Sequence, residues 1–234
     1  MAVFQTPRLP MPSSSGARWL LALLAMSLTA CGTVIREARM EVPADLAAVA
    51  EEPFGRVGWG RSGAFTLGLQ QVRYERGADR LTLFETYATG RAPLQVWLDG
   101  PSGSREASCT ARQSELTAGV LAVPVRPWTL ACRWGRDAQL QISERRLVGT
   151  TQAREGQYRR GDLALTLRSV HRLAGTPLVQ PLPTGYEILH EGRAVGSVDL
   201  VRGSPVLRRP DPGTPLGQAV TEAALVLALV WEPQ

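Results

Sequence analysis

The chain has 234 residues, 21 of them acidic and 26 basic, and carries a net charge of +5 at pH 7. Every basic residue is arginine; lysine and asparagine are absent, as the codon preference of a GC-rich genome would produce. The arginines are scattered among acids, with no basic stripe and no interleaved aromatics, so nucleic acid is set aside as a partner.

The first element is the run from Arg18 to Cys31, where one basic residue precedes ten uncharged residues, Trp19 to Leu28. This is too short to cross a bilayer, which takes about 20 apolar residues, but it has the parts of a secretory signal peptide. The four residues Leu28-Thr29-Ala30-Cys31 resemble the lipobox of bacterial lipoproteins. That resemblance implies cleavage of residues 1–30 and a thioether-linked diacylglycerol on Cys31, which holds the body at a membrane. Gly32 is not the Asp that retains enterobacterial lipoproteins in the inner membrane, so the expected address is the outer membrane of a diderm envelope, facing the periplasm. Cleavage would remove Arg8 and Arg18 and lower the net charge to +3.

Residues 31–55 read as a lipidated tether with a short helix at 43–52, and residues 56–234 as one domain. With Cys31 carrying lipid, Cys109 and Cys132 remain as a pair in an oxidising compartment. A disulfide is the leading expectation and two buried free thiols the alternative. Two cysteines so far apart, without a C-x-x-C, do not make a metal site, and no metal or other cofactor is expected.

From Val57 the apolar pattern is mainly of period two, which marks strands with one buried face. Phe65, Leu67 and Leu69 alternate with polar or small residues, and the phase then slips to Val72 and Tyr74, placing a turn or bulge near Gln70-Gln71. Further strands are expected at 80–87, 93–99, 105–112, 128–134, 138–143, 145–151, 162–173, 185–190, 193–202 and 205–209. Cys109 shares its face with Ala107 and Ala111, and Cys132 with Leu130 and Trp134. Both sulfurs therefore point toward apolar material.

The end of the chain breaks this pattern. Thr214 followed by Pro215 has the form of a helix start, and Ala223 to Trp231 holds no polar residue. A helix over 215–231, apolar all round and so buried on every side, is the first reading, and a central strand the second. The expected fold is mainly β, an antiparallel barrel or sandwich of about 11–12 short strands with this helix packed in or against it. A sheet-rich body ending in "GYEILHEGRAVGSVDLVRG" and a hydrophobic helix resembles the tubby-like barrel proteins, including the LURP-one relatives. The resemblance implies a barrel threaded by the helix; it matches no ligand-binding residues of that family.

Candidates for chemistry are few. Gly58, Gly60 and Gly63 have phosphate-loop spacing, but a strand pattern follows where that motif needs a helix, so they read as a glycine-rich turn. His171 shares the phase of Leu163, Leu165 and Leu167 and is expected in the core or at its rim; His190 reads as surface. Glu222, inside the apolar helix, must pair with an arginine if buried, since an isolated charge there costs too much. No catalytic residue is assigned. The expected function is that of a non-enzymatic, membrane-anchored envelope lipoprotein serving as an interaction or assembly module with an envelope protein partner. The alternatives are a barrel that binds lipid or a small hydrophobic ligand, and a periplasmic hydrolase built on His171 or a carboxylate pair.

Overall fold

In the computed structural model, residues 37–83, 87–118, 121–146 and 151–232 are described. The expected signal segment, Cys31 and the expected tether up to residue 36 lie outside them. From Ala38 onward the chain forms a single unit. Its strands are β1 (Glu52–Pro53), β2 (Ser62–Leu67), β3 (Gln70–Arg76), β4 (Asp79–Leu83), β5 (Tyr87–Gly100), β6 (Gly103–Ala118) and β7 (Leu121–Trp134). They continue with β8 (Ala138–Arg146), β9 (Gln152–Arg160), β10 (Leu163–Val170), β11 (Gly185–His190), β12 (Arg193–Asp199) and β13 (Val206–Arg208). One helix, α1 (Pro215–Leu229), follows.

The strands form one antiparallel sheet in the order β1-β13-β12-β11-β10-β9-β8-β7-β6-β5-β3-β2, with β4 added to β5. Nearly all neighbours are consecutive in the chain, as short connections between antiparallel strands require. The sheet curls until its two edges almost meet, which makes a barrel rather than a sandwich. Between them runs the stretch after β1: Phe54 N–H donates to Pro205 O at 2.8 Å and Gly55 N–H to Thr66 O on β2 at 3.0 Å. Arg209, just past β13, closes the same seam with side-chain bonds to Glu52 (2.8 Å), Gln70 (3.3 Å) and Thr221 of α1.

The barrel wraps around α1. Eleven residues of the helix are buried, from Gly217 to Leu229, and Val220, Ala224, Leu225 and Val226 have no exposed surface. The helix starts where the sequence indicated: Thr214 Oγ1 accepts from Gly217 N–H at 3.0 Å and Pro215 occupies the first turn. Its neighbours include β12, β11, β9 and β5, strands drawn from well-separated places in the sheet order. Gly196 of β12 lets it in, because a Cβ there would overlap Val220 and crowd Arg208 O. Period-two residues of the strands, among them Val96, Leu140, Leu165 and Leu167, supply the facing layer.

Cys109 on β6 and Cys132 on β7 are register partners with Cα atoms 4.0 Å apart and sulfurs at bonding distance, facing the core. A Cys109→Ala/Cys132→Ala protein should lose about 3 kcal/mol of stability, since the bridge closes a loop of moderate length. Urea unfolding with and without reductant checks this, and a loss on reduction seen in the wild type but not in the double variant identifies the bridge as its source.

Several expectations shift. Of the strand expected at 145–151, residues 145 and 146 are the tail of β8 and residues 147–150 lie outside the described ones; the sequence "QAREGQYRR" at 152–160 is a strand of its own, β9. The turn expected near Gln70-Gln71 sits two residues earlier, at Gly68-Leu69, with Gly68 in the left-handed region at φ +57°. The helix expected over 43–52 is a single 3-10 turn, Ala44–Leu46. Residues 38–54 are also packed rather than extended as a tether. Met40 and Leu46 are buried, Met40 N–H donates to Asp199 at 3.1 Å, and Glu51 pairs with Arg202 at 2.6 Å and with Arg208. The reason is local: Met40 packs at Gly185 of β11, the Ala44–Leu46 turn lies against β12, and β1 pairs with β13.

The barrel has two ends. At the helix-entry end lie the turns β2–β3, β5–β6, β7–β8, β9–β10 and β11–β12, together with Thr214. At the helix-exit end lie the β10–β11 and β12–β13 connections, the segment 56–61 and the C-terminus of α1. The chain also enters the barrel there: Ala174 N–H donates to Arg39 O at 2.8 Å and Met40 bridges Leu173, just beyond β10.

Candidate functional site

The helix-entry end is held by a buried ionic cluster around Glu222, whose side chain is 1% exposed. Tyr158 donates its hydroxyl to Glu222 Oε2 at 2.6 Å, and Arg105 Nε lies 2.6 Å and Arg160 Nη1 3.6 Å from Oε1. Asp137, in the β7–β8 turn, is bound by both arginines at 3.0 and 3.2 Å. Two carboxylates and two guanidinium groups make the cluster neutral. Burial pushes the Glu222 carboxyl up, and the Tyr158 hydroxyl and the two arginines pull it back. The hydrogen bond from Arg105 holds Asp137 below the usual carboxylate range.

The helix-exit end is closed by two buried arginines that favour the negative end of the helix dipole. Arg76 donates to Leu229 O at 3.2 Å, Gly60 O at 3.1 Å and Gly58 O at 2.6 Å, and lies over the rings of Tyr74 and Trp231. The glycine-rich "GWGRSG" is thus a loop whose carbonyls turn inward to a guanidinium. Arg154 pairs with Glu232 at 2.7 Å and stacks over Trp128 with its guanidinium carbon 3.9 Å from the ring centroid.

His171 sits at this end, with Nδ1 3.0 Å from Gln180 O and Nε2 2.8 Å from Ser169 Oγ. Burial lowers its pKa, so the ring is neutral at pH 7. A neutral ring that donates from Nδ1 to the carbonyl keeps Nε2 as the acceptor of the Ser169 hydroxyl. The serine oxygen also accepts from Arg154 N–H at 2.8 Å. The group in the orienting place is a peptide carbonyl, and the visible effect of the arrangement is to pin the β10–β11 connection to β9 and β10. Neither His171, Glu222 nor the cysteine pair is brought together with another of the expected site residues. Among the described residues no group of three or more His, Cys, Asp or Glu side chains is placed to hold a metal.

What periodicity did not single out is the outer face of β6 to β9. There the register lines up Ser108, Arg133, Gln139 and Arg159 in one row across four strands, and Thr110, Ala131, Gln141 and Gln157 in the next. Residues 38–54 cover the sheet near β12 and β13 and leave this face open. At its helix-entry border is a concavity of about 520 Å³ lined by Arg133, Arg136, Arg159 and Gln139. It adjoins smaller ones along the rows, lined among others by Gln139, Gln141 and Gln157. Asp137 is the carboxylate of the concavity, and Arg105 and Arg160 already bind it. Among the described residues, Arg133 and Arg136 have no carboxylate partner. The result is a polar trough with unneutralised positive charge at one end.

The architecture is that of an antiparallel barrel filled by a helix, with a polar trough on its outer face. Comparison with family models, curated proteins and solved structures finds no match.

Proposed function

We propose that this protein is a lipid-anchored envelope lipoprotein, non-enzymatic, whose barrel is a rigid scaffold presenting the β6–β9 trough to an envelope protein partner. The observation that carries the reading is the filling of the interior: α1 and the strand side chains occupy the space a ligand would need, so recognition falls to the outside. The unpaired arginines bordering the trough suit a partner surface with acidic side chains. The same filling weakens the alternative of a barrel enclosing a hydrophobic ligand. Anchoring rests on Leu28-Thr29-Ala30-Cys31 and the outer-membrane address on Gly32. The enclosed C-terminal helix supports the resemblance to tubby-like barrels, and no ligand site is carried over with it.

A photo-crosslinking residue in the trough, at Gln141, and one on the outer face of β2, at Thr66, test the reading in the full chain expressed in its envelope. One discrete protein adduct from position 141 and none from position 66 is expected. Identical patterns from both positions overturn the trough as the recognition face.

A further inference from the structure

The exposed apolar residues are placed unevenly. Among the described residues nine large hydrophobic side chains are exposed, and only Leu69 stands at the helix-entry end. Leu178, Val179 and Leu182 project from the β10–β11 connection, Val201 from the β12–β13 connection and Trp59 from the loop before β2. Leu81, Leu116 and Val125 lie on the parts of β4, β6 and β7 that extend past the barrel on the same side.

The β10–β11 connection is the core of this patch. Residues 173–186 contain no charge and three prolines, whereas loops exposed to water are usually polar. The segment is not loosely held. Val179 bridges Arg172, Gln180 N–H donates to His171 O at 2.7 Å, Thr184 N–H to Val170 O at 2.8 Å, and Pro181 O accepts from Gln152 at 2.9 Å. A backbone pinned at four points therefore holds Leu178, Val179 and Leu182 in solvent at 66, 52 and 53% exposure. Trp59 is 94% exposed, with exposed Arg56 and Arg61 on either side in the sequence. An indole flanked by cations suits the boundary between headgroups and acyl chains.

The chain supplies the occupant. It enters the barrel at Arg39-Met40, hydrogen-bonded to residues 172–174 at the base of this same connection. Cys31 is seven residues before Ala38, a reach of at most about 25 Å when fully extended. A lipid on Cys31 therefore keeps the helix-exit end close to the bilayer.

We propose that the apolar rim of the helix-exit end, led by Leu178, Val179, Leu182 and Trp59, rests in the interface of the membrane that holds the Cys31 lipid. The inference rests on the lipoprotein reading above. The barrel then stands on the membrane in one orientation, helix-entry end outward, instead of swinging on its anchor.

The test uses the full chain purified from its envelope and reconstituted in phosphatidylethanolamine/phosphatidylglycerol vesicles containing a fraction of acyl-chain nitroxide lipid. With Cys31 acylated and Cys109 bridged to Cys132, Leu178→Cys introduces the one thiol open to a bimane label, and Leu182→Cys repeats it. Leu69→Cys is the control at the opposite end. Severalfold greater quenching at positions 178 and 182 than at 69 is expected, and loss of that difference when Trp59→Ser and Val179→Ser are added. Equal quenching at all three positions, in protein whose intact mass shows lipid on Cys31, overturns the membrane-facing rim and leaves the anchor standing. A mass without lipid on Cys31 overturns both.

Discussion

Leu225→Ala and Leu227→Ala should each lower stability by about 2–5 kcal/mol, although their side chains leave α1 in nearly opposite directions. Two residues apart on a helix is a rotation of about 200°. On a helix lying against a sheet, one such position faces water and its truncation is close to neutral. Here Leu225 is fully buried and Leu227 is 3% exposed, because strands stand on all sides of the helix. Urea unfolding of the two variants measures the costs. A near-zero value for either would mean that α1 has an open side and that the barrel does not enclose it. Neither site can collapse easily onto the gap, since both neighbouring layers are held by strand hydrogen bonds.

The second large effect is at Glu222. Replacement by Ala should cost about 3–5 kcal/mol, the range for breaking a buried ion pair from one side. The loss leaves the Tyr158 hydroxyl, on a side chain with no exposed surface, without its acceptor. It also leaves Arg105 and Arg160 sharing Asp137 alone, with an excess positive charge in a largely buried site. Glu222→Gln keeps an oxygen for Tyr158 and should cost less, roughly 1.5–3 kcal/mol for the lost charged hydrogen bonds. The order Ala worse than Gln, read from denaturation midpoints at constant m-value, is the expected result. Equal costs would show that charge, not the tyrosine bond, accounts for the whole effect.

How far the sequence reaches can be judged from particular segments. β2, β3 and the strand halves at 93–99, 128–134 and 138–143 alternate cleanly because one face meets the apolar helix and the other meets water. β9 was hidden because its inward positions are Arg154, Gly156 and Tyr158, and a buried arginine followed by glycine erases the period-two signal. Each has a structural reason: Arg154 caps the barrel with Glu232, and Gly156 sits where a Cβ would run into β8. The C-terminal helix was legible from Thr214, Pro215 and the apolar run. Its enclosure was not, because that depends on strands far away in the chain. Glu222 stood out as a carboxylate in apolar surroundings, but its partners Arg105 and Arg160 look like any other arginines at strand ends. The outer trough was invisible for a different reason: Gln139, Gln141, Gln157 and Arg159 occupy the alternate positions that any half-buried strand fills with polar residues.

The placement of α1 has a consequence for how the molecule is made. The strands that line the barrel are synthesised first, and the segment they close around follows them, between residues 215 and 229. Until those residues are available, the inward leucines, valines and tryptophans have nothing to pack on, and the seam at Arg209 lacks Thr221. A chain stopped anywhere before the helix is thus an open, sticky sheet rather than a smaller version of the protein, the kind of intermediate that aggregates or is degraded. The barrel cannot close before residues 215–229 have been made, so a nonsense codon just ahead of the helix should be as damaging as one near the middle of the strands.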